Sequence, residues 1–397
     1  MRKSKKIPKS HARTVQDEQF ERLYHTIPSG GLMHPDVLAL QKSRKPRWKK
    51  VLKRTLITLL IIALIVGGWV GIKFIHNSIK IFGWNGVTSL FTTRELKGEK
   101  EGRVNVLLAG NSADDPGHSG AALTDSIMLV SIDTKNKKGY LLSIPRDLYV
   151  EIQSGDYAKI NEAYQDGEND GFSGGGYPDG GMGLLEKVVA EHLGVEIHYY
   201  ALVNYGALEE AVNAVGGITL TIASSDPRGL YDPSRDLATG KPLVKLPNGV
   251  VTLNGRDALN LARARGNGYG SYGFARSDFD RGKHQRQILV AIKDKAASAG
   301  TLANPIKLGE LFDSLGKNVE TDLTLGEAKR LYDLVSDIES SRIVSASLND
   351  ADGQNLLQSY RTRTGQSALV PRTGIDDYTE IQAYIAKLNG ISSGTPE

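Results

Sequence analysis

The 397-residue chain is 40% hydrophobic and 24% charged, ordinary for folded domains with a sizeable core. It has no cysteine, which excludes disulfides, thiolate metal sites and a cysteine nucleophile. Its formal net charge of +4 conceals an imbalance, because residues 1–54 carry 15 Lys/Arg against 4 Asp/Glu and leave the remainder acidic. A basic tail on an acidic body points to membrane or nucleic-acid contact at one end only.

Residues 1–41 have no sustained apolar period and several breakers, and read as a disordered tail. KSRKPRWKKVLKR (42–54) follows with eight positive charges, then 18 uncharged residues from Thr55 to Ile72. At 1.5 Å per residue that run is about 27 Å long, close to a bilayer core. The basic flank places the tail in the cytoplasm and everything beyond about residue 76 outside. No clear cleavage site follows, so residues 55–75 read as a retained single-pass anchor and 76–102 as a tether.

The pattern then changes. VNVLLA (104–109), SIMLVSID (126–133) and GYLLSI (139–144) are continuous apolar runs, the signature of strands covered on both faces. KINEAY (159–164) starts a short helix, and the Gly-rich stretch 171–183 leads into a helix at LLEKVVAEHL (184–193). That stretch lacks G-x-G-x-x-G and a Walker lysine, so it reads as a loop. YYALV (199–203), a helix near 207–215 and the strand ITLTI (218–222) follow, then a long polar loop at 224–243. LNGRDALNLA (253–262) reads as a helix opened by Asn254, and a second helix spans about 279–299. The fold class is therefore α/β: a central, mostly β sheet with helices on both faces, preceded by one transmembrane helix. We divide the chain into a catalytic domain at 103–300, a C-terminal α/β extension at 301–388 and a frayed end at 389–397.

Between Arg263 and Arg286 lie five Arg and one Lys against two Asp, with His284 in addition. Arginine offers a planar fork of donors that fits phosphate oxygens two at a time. Arg263 and Arg265 point the same way if the chain is extended there, as Gly266 and Gly268 allow. Arg281, His284 and Gln285 fall on one helical face at the start of a helix, whose dipole favours anions. Asp278 is either the cap of that helix or a substrate residue. In SIPRD (143–147) the proline places Arg146 and Asp147 at the carboxyl end of a strand, where open α/β sheets hold ligands. Asp114, Asp115 and Asp125 lie on the loop 109–126, and carboxylates near phosphate-binding arginines suit Mg²⁺.

VNVLLAGN, LTDSIMLVSID, LLSIPRDLYV, KINEAY, AVGGI, LNGRDALNLARAR and DFDRGKHQRQ occur in that order over about residues 103–300. With the N-terminal anchor, this set resembles the LytR-CpsA-Psr family of bacterial cell-envelope enzymes. The resemblance implies a phosphotransferase outside the membrane, passing a glycan phosphate from a polyprenyl-diphosphate carrier to peptidoglycan. It assigns Arg146, Arg263, Arg265 and Arg281 to the diphosphate, Gln285 to the head group and Asp125 to Mg²⁺ and catalysis. Lys159 and Asn161 match a family motif and are carried over as substrate-binding; from the residues themselves we add Asp147 to the substrate-binding set and Asp114 as the second metal ligand. Two positions depart from the pattern: Ser112 stands where the family usually has Asp, so Asp114 or Asp115 must substitute, and His284 where it usually has Arg. The expected partners are a polyprenyl-linked glycan, peptidoglycan and membrane lipid, with no nucleic acid. A hydrolase of the same lipid and a non-enzymatic membrane scaffold are the competing expectations.

Overall fold

The computed structural model describes residues 94–115, 122–297, 316 and 318–390. The basic tail, the anchor at 55–75 and most of the tether lie outside the described residues. Among those described, no helix is long and apolar enough to cross a membrane.

Strands β1 (Arg103–Gly110), β2 (Ser126–Asp133) and β3 (Lys138–Ile144) form an antiparallel meander, followed by the hairpin of β4 (Tyr149–Gln153) and β5 (Asp156–Lys159). A 3₁₀ turn leads into α1 (Ala163–Asp170), then α2 (Gly181–Leu193), β6 (Tyr199–Val203) and α3 (Tyr205–Ala214). Next come β7 (Ile218–Ile222), β8 (Leu230–Arg235), β9 (Pro242–Leu246) and β10 (Gly249–Leu253). Helices α4 (Gly255–Arg263) and α5 (Asp278–Ala297) follow. The chain continues through β11 (Val319–Thr321), α6 (Leu325–Ser336), β12 (Ile343–Ser347), β13 (Leu357–Arg361), β14 (Ser367–Pro371) and α7 (Thr379–Leu388).

The central sheet has six strands in the order β11-β6-β1-β2-β3-β12. Its apolar runs are central because both faces are covered. One face packs Leu107, Leu129 and Leu142 against Leu185 and Val189 of α2 and Ile381 of α7. A second core joins Val212, Ile218, Leu253, Leu261 and Ile288, from α3, β7, β10, α4 and α5. Two features differ from expectation. Residues 319–347, placed in a C-terminal extension, supply both edge strands of the central sheet. The polar loop at 224–243 contains β8 and the start of β9, whose buried Leu230, Asp232 and Val244 face inward while their neighbours stay wet. Three prolines and the polar exposed positions hide that pairing from an apolar-run reading.

Caps explain where the helices that reach the site begin. Asn204 and Asn254 accept the amide N–H groups of Ala207 (3.0 Å) and Asp257 (2.9 Å), opening α3 and α4. Helix α4 stops at Ala264, whose ψ of 133° is extended. Gly266 then takes a φ of +67°, and a Cβ there would lie 2.5 Å from Phe274, so only glycine turns the chain at this point.

Candidate active site

Alternation along β1 and β2 decides what each face of the sheet carries. Leu107, Ala109, Ile127 and Leu129 enter the core, whereas Leu108, Gly110, Ser126 and Met128 face the other way. There, α3, α4 and α5 stand off the sheet and enclose a cavity of about 370 Å³. Its apolar lining includes Leu108, Met128, Val203, Leu208, Leu259 and Ile288. Its polar lining includes Asp125, Arg263, Arg265, Arg281 and Gln285, all expected from the sequence.

The extended Ala264 lets Arg263 and Arg265 project into one cavity, as their spacing predicts. Arg265 is fixed by its backbone: buried Asp232 accepts the amide N–H groups of Arg265 (3.1 Å) and Gly266 (2.8 Å). Burial alone would raise the Asp232 pKa, but these bonds and those from Ser234 outweigh it and hold it below the usual value. Asp232→Ala is expected to lower any activity that depends on Arg265 by at least about tenfold, with a clear loss of Tm, because buried charge-assisted bonds contribute roughly 1.5–3 kcal/mol each. Steady-state rates and a melting curve on the same preparation check this.

Asp125 sits at the meeting point. Its Oδ1 accepts from Arg146 at 2.5 Å and from Asn161 Nδ2 at 3.4 Å, its Oδ2 lies 4.0 Å from Arg265, and its carbonyl accepts from Arg281 at 2.7 Å. Asp278, the first residue of α5, is the second hub. Its Oδ1 lies 2.8 Å from Arg281, 3.3 Å from Arg265 and 3.9 Å from Arg146. Asp278 therefore belongs to the cluster, and its i, i+3 spacing to Arg281 was the available signal. Burial works against the charge on Arg146, yet Asp125, Asp147 and Asp278 outweigh it and raise its pKa. Arg281 is 6% exposed, and desolvation lowers its pKa to about 10, which leaves it protonated at neutral pH.

The other expected residues divide. Gln285 accepts from Ser126 Oγ (2.9 Å) and donates to the Ala262 carbonyl (3.0 Å), tying β2, α4 and α5 together at the cavity wall. Lys159 and Asp147 pair with each other at 2.8 Å behind Arg146 and do not line the cavity. Asp114 accepts the amides of Tyr205 (3.1 Å) and Gly206 (2.7 Å) at the start of α3, whereas Asp115 lies 3.5 Å from Arg263. Arg263 also stacks over the Tyr205 ring at 4.5 Å. His284 does not share the site of Arg281 and Gln285. It is buried edge-on to Phe274 at 5.7 Å, and desolvation pushes its pKa to about 4, so it is neutral. Arg286, unassigned from the sequence, fastens α5 to the sheet through Ser143 Oγ and Ser345 Oγ (2.6 Å).

The family model of the LytR_cpsA_psr family matches residues 85–370. The chain belongs to this family. Among its relatives is the polyisoprenyl-teichoic acid–peptidoglycan teichoic acid transferase TagU of Oceanobacillus iheyensis, 35% identical over 237 residues. That match covers 60% of this chain and 64% of the relative's length. The transferase of the same description, TagT of Bacillus subtilis, is 28% identical over 304 residues, covering 76% of this chain and 85% of TagT. A solved structure of TagT bound to LIIa-WTA matches with a TM-score of 0.55 and 26% identity, over 75% of this chain and 94% of that one. The LytR_cpsA_psr fold therefore carries the arginine cluster and the cavity described above.

Proposed function

We propose that this chain is a membrane-anchored phosphotransferase that moves a glycan phosphate from a polyprenyl-diphosphate carrier to peptidoglycan, outside the cell membrane. The observation that carries the reading is one cavity with an apolar lining, three arginines (Arg146, Arg265 and Arg281) gathered round the carboxylates Asp125 and Asp278, and Arg263 on its wall. An apolar slot suits a polyprenyl chain, since each buried CH₂ contributes roughly 0.8 kcal/mol. The named activities of the family relatives support the same donor and acceptor classes.

In the reaction, the acceptor hydroxyl oxygen bonds to the glycan-bearing phosphorus, and the bond from that phosphorus to the polyprenyl phosphate oxygen breaks. The hydroxyl proton passes to Asp125, and polyprenyl monophosphate leaves. Arg263, Arg265 and Arg281 hold the diphosphate oxygens within the cavity, and Arg146 holds Asp125 in place from the far side. Their charges are fixed before substrate arrives, so no reorganisation is needed as negative charge develops.

A hard divalent cation fits the donor atoms at Asp125. Asn161 presents its Nδ2 to Asp125 at 3.4 Å while its own Oδ1 is buried with no hydrogen-bond partner, so a turn of the amide would offer a second hard oxygen beside the carboxylate. Mg²⁺ would be held by Asp125 with Asn161 and would neutralise phosphate charge when bound. Asp114 could join only by leaving the first turn of α3. Among the described residues, no group of three or more His, Asp or Glu is arranged to hold a metal.

Narrowing the slot tests the assignment. Leu208→Trp is expected to raise KM at least about tenfold for a long-chain polyprenyl donor, the equivalent of two lost methylenes. A short-chain analogue should be affected much less, as measured by release of lipid phosphate. Equal effects on both donors would place the lipid elsewhere.

A further inference from the structure

We infer that the acceptor glycan strand is received on a row of three tyrosines, Tyr149, Tyr157 and Tyr360, on the far side of Arg146 from the lipid cavity. The inference rests on the transferase reading above and adds the acceptor's location to it. The ring of Tyr149 is the middle member, with centroids 5.8 Å from Tyr157 and 5.5 Å from Tyr360, both at interplanar angles of 30°. All three side chains are half-buried. They stand on three strands, β5, β4 and β13, and β14 bonds the C-terminal hairpin to the start of β4 through the amide of Leu369 and the carbonyl of Asp147 (2.9 Å).

Register ties the row to the chemistry. Tyr149 is the cross-strand partner of Lys159, and Glu151 that of Tyr157, so Tyr149, Lys159 and Tyr157 leave the same face of the hairpin. The opposite face, with Val150 and Ile152, is core. Lys159 pairs with Asp147, and Asp147 lies 3.8 Å from Arg146 Nε. A continuous path of side chains thus runs from the carboxylate-bound Arg146 to the rings. The lipid cavity does not reach Arg146, Asp147 or Lys159. The acceptor hydroxyl would then reach the phosphorus from the side of Asp125 and Arg146, and an in-line displacement has the polyprenyl phosphate leave from the opposite face of that phosphorus.

The chemistry of the row selects a sugar. Tyrosine presents a rigid, amphipathic face at low entropic cost, and its negative π-face attracts the C–H groups of a pyranose ring. Sugar hydroxyls need polar groups beside such a face, and these are present. The Tyr157 hydroxyl donates to Asp376 at 2.9 Å, and Asp376 also borders an open polar cleft of about 650 Å³ with Glu151, Gln153 and Gln382. This occupant is favoured over a protein partner by the row's continuity with the phosphoryl-transfer groups.

The test uses the full chain in detergent micelles with a polyprenyl-diphosphate glycan donor and soluble, uncrosslinked peptidoglycan strands as acceptor. Tyr157→Ala and Tyr360→Ala, singly and together, should raise the acceptor KM about tenfold in the double variant. The rate at saturating acceptor should stay near wild type, as should the slow release of lipid phosphate without acceptor. Tyr360→Phe and Tyr157→Phe, which keep the ring and guard against misfolding, should retain at least half of the wild-type acceptor affinity. An acceptor KM within twofold of wild type in the folded double variant overturns the inference. So does a loss shared equally by the acceptor-independent release. Failure of the wild-type chain itself to join glycan to peptidoglycan would instead reject the transferase reading.

Discussion

Arg265→Ala is expected to lower glycan-phosphate transfer about a thousandfold, the scale for removing a preorganised charged donor from developing phosphate charge. It should leave Tm within about 3 °C of wild type, because surface-accessible substitutions away from the core change stability little. Arg265 is partly exposed, and when it is removed Asp278 keeps its 2.8 Å contact with Arg281, so no carboxylate is stranded. Asp125 likewise keeps Arg146. Arg265→Lys should recover little of the rate, since a point charge cannot donate two parallel bonds to phosphate oxygens. Rates of lipid-phosphate release with and without acceptor, alongside a melting curve, check all three statements.

The largest effect on stability is expected from a residue far from this chemistry. Glu186 in α2 is 4% exposed, and one of its carboxylate oxygens has no hydrogen-bond partner. Burial, with a smaller contribution from Asp322, raises its pKa from 4.5 to about 8. A carboxyl raised in the folded state stays neutral there while the unfolded chain ionises. Stability is therefore full below pH 4.5 and falls as pH rises from there to about 8, at 1.36 kcal/mol per unit of pH. Glu186→Gln removes the titration and keeps the shape. The variant should match wild type near pH 4 and be more stable by about 4 kcal/mol at pH 8. Urea unfolding at the two pH values measures this, and equal curves at pH 8 would show that Glu186 is solvated in the folded protein.

Much of the arginine cluster was legible because its groups are local in sequence or mark element ends. Arg263 and Arg265 follow a helix that Asn254 starts and an extended Ala264 stops. Arg146 follows the proline that ends β3, and Arg281 lies one turn into α5. The apolar cavity was not legible. It is made by the even-numbered face of β1 and β2 meeting Leu208, Leu259 and Ile288, and a continuous apolar run cannot say which side chains meet core and which meet empty space. Helical spacing also left His284 undetermined. At three residues from Arg281 it can share that face or turn to the flank, and Phe274, ten residues upstream, decides for the flank. Asp278 could equally have been a cap, and only the return of Arg146 and Arg265 to the same point made it a hub. The edge strands β11 and β12 escaped notice because their pairing partners, β6 and β3, lie more than a hundred residues upstream.

The most direct test of the central claim is a single product analysis. Full-length chain is incubated with a polyprenyl-diphosphate glycan labelled at the glycan-linked phosphate, together with peptidoglycan strands, and the label is followed through muramidase digestion. The account predicts label in a phosphodiester between glycan and peptidoglycan, stoichiometric with released polyprenyl monophosphate, and neither product with Arg265→Ala. Label recovered only as free glycan phosphate in the presence of acceptor, or left on intact lipid, would contradict it.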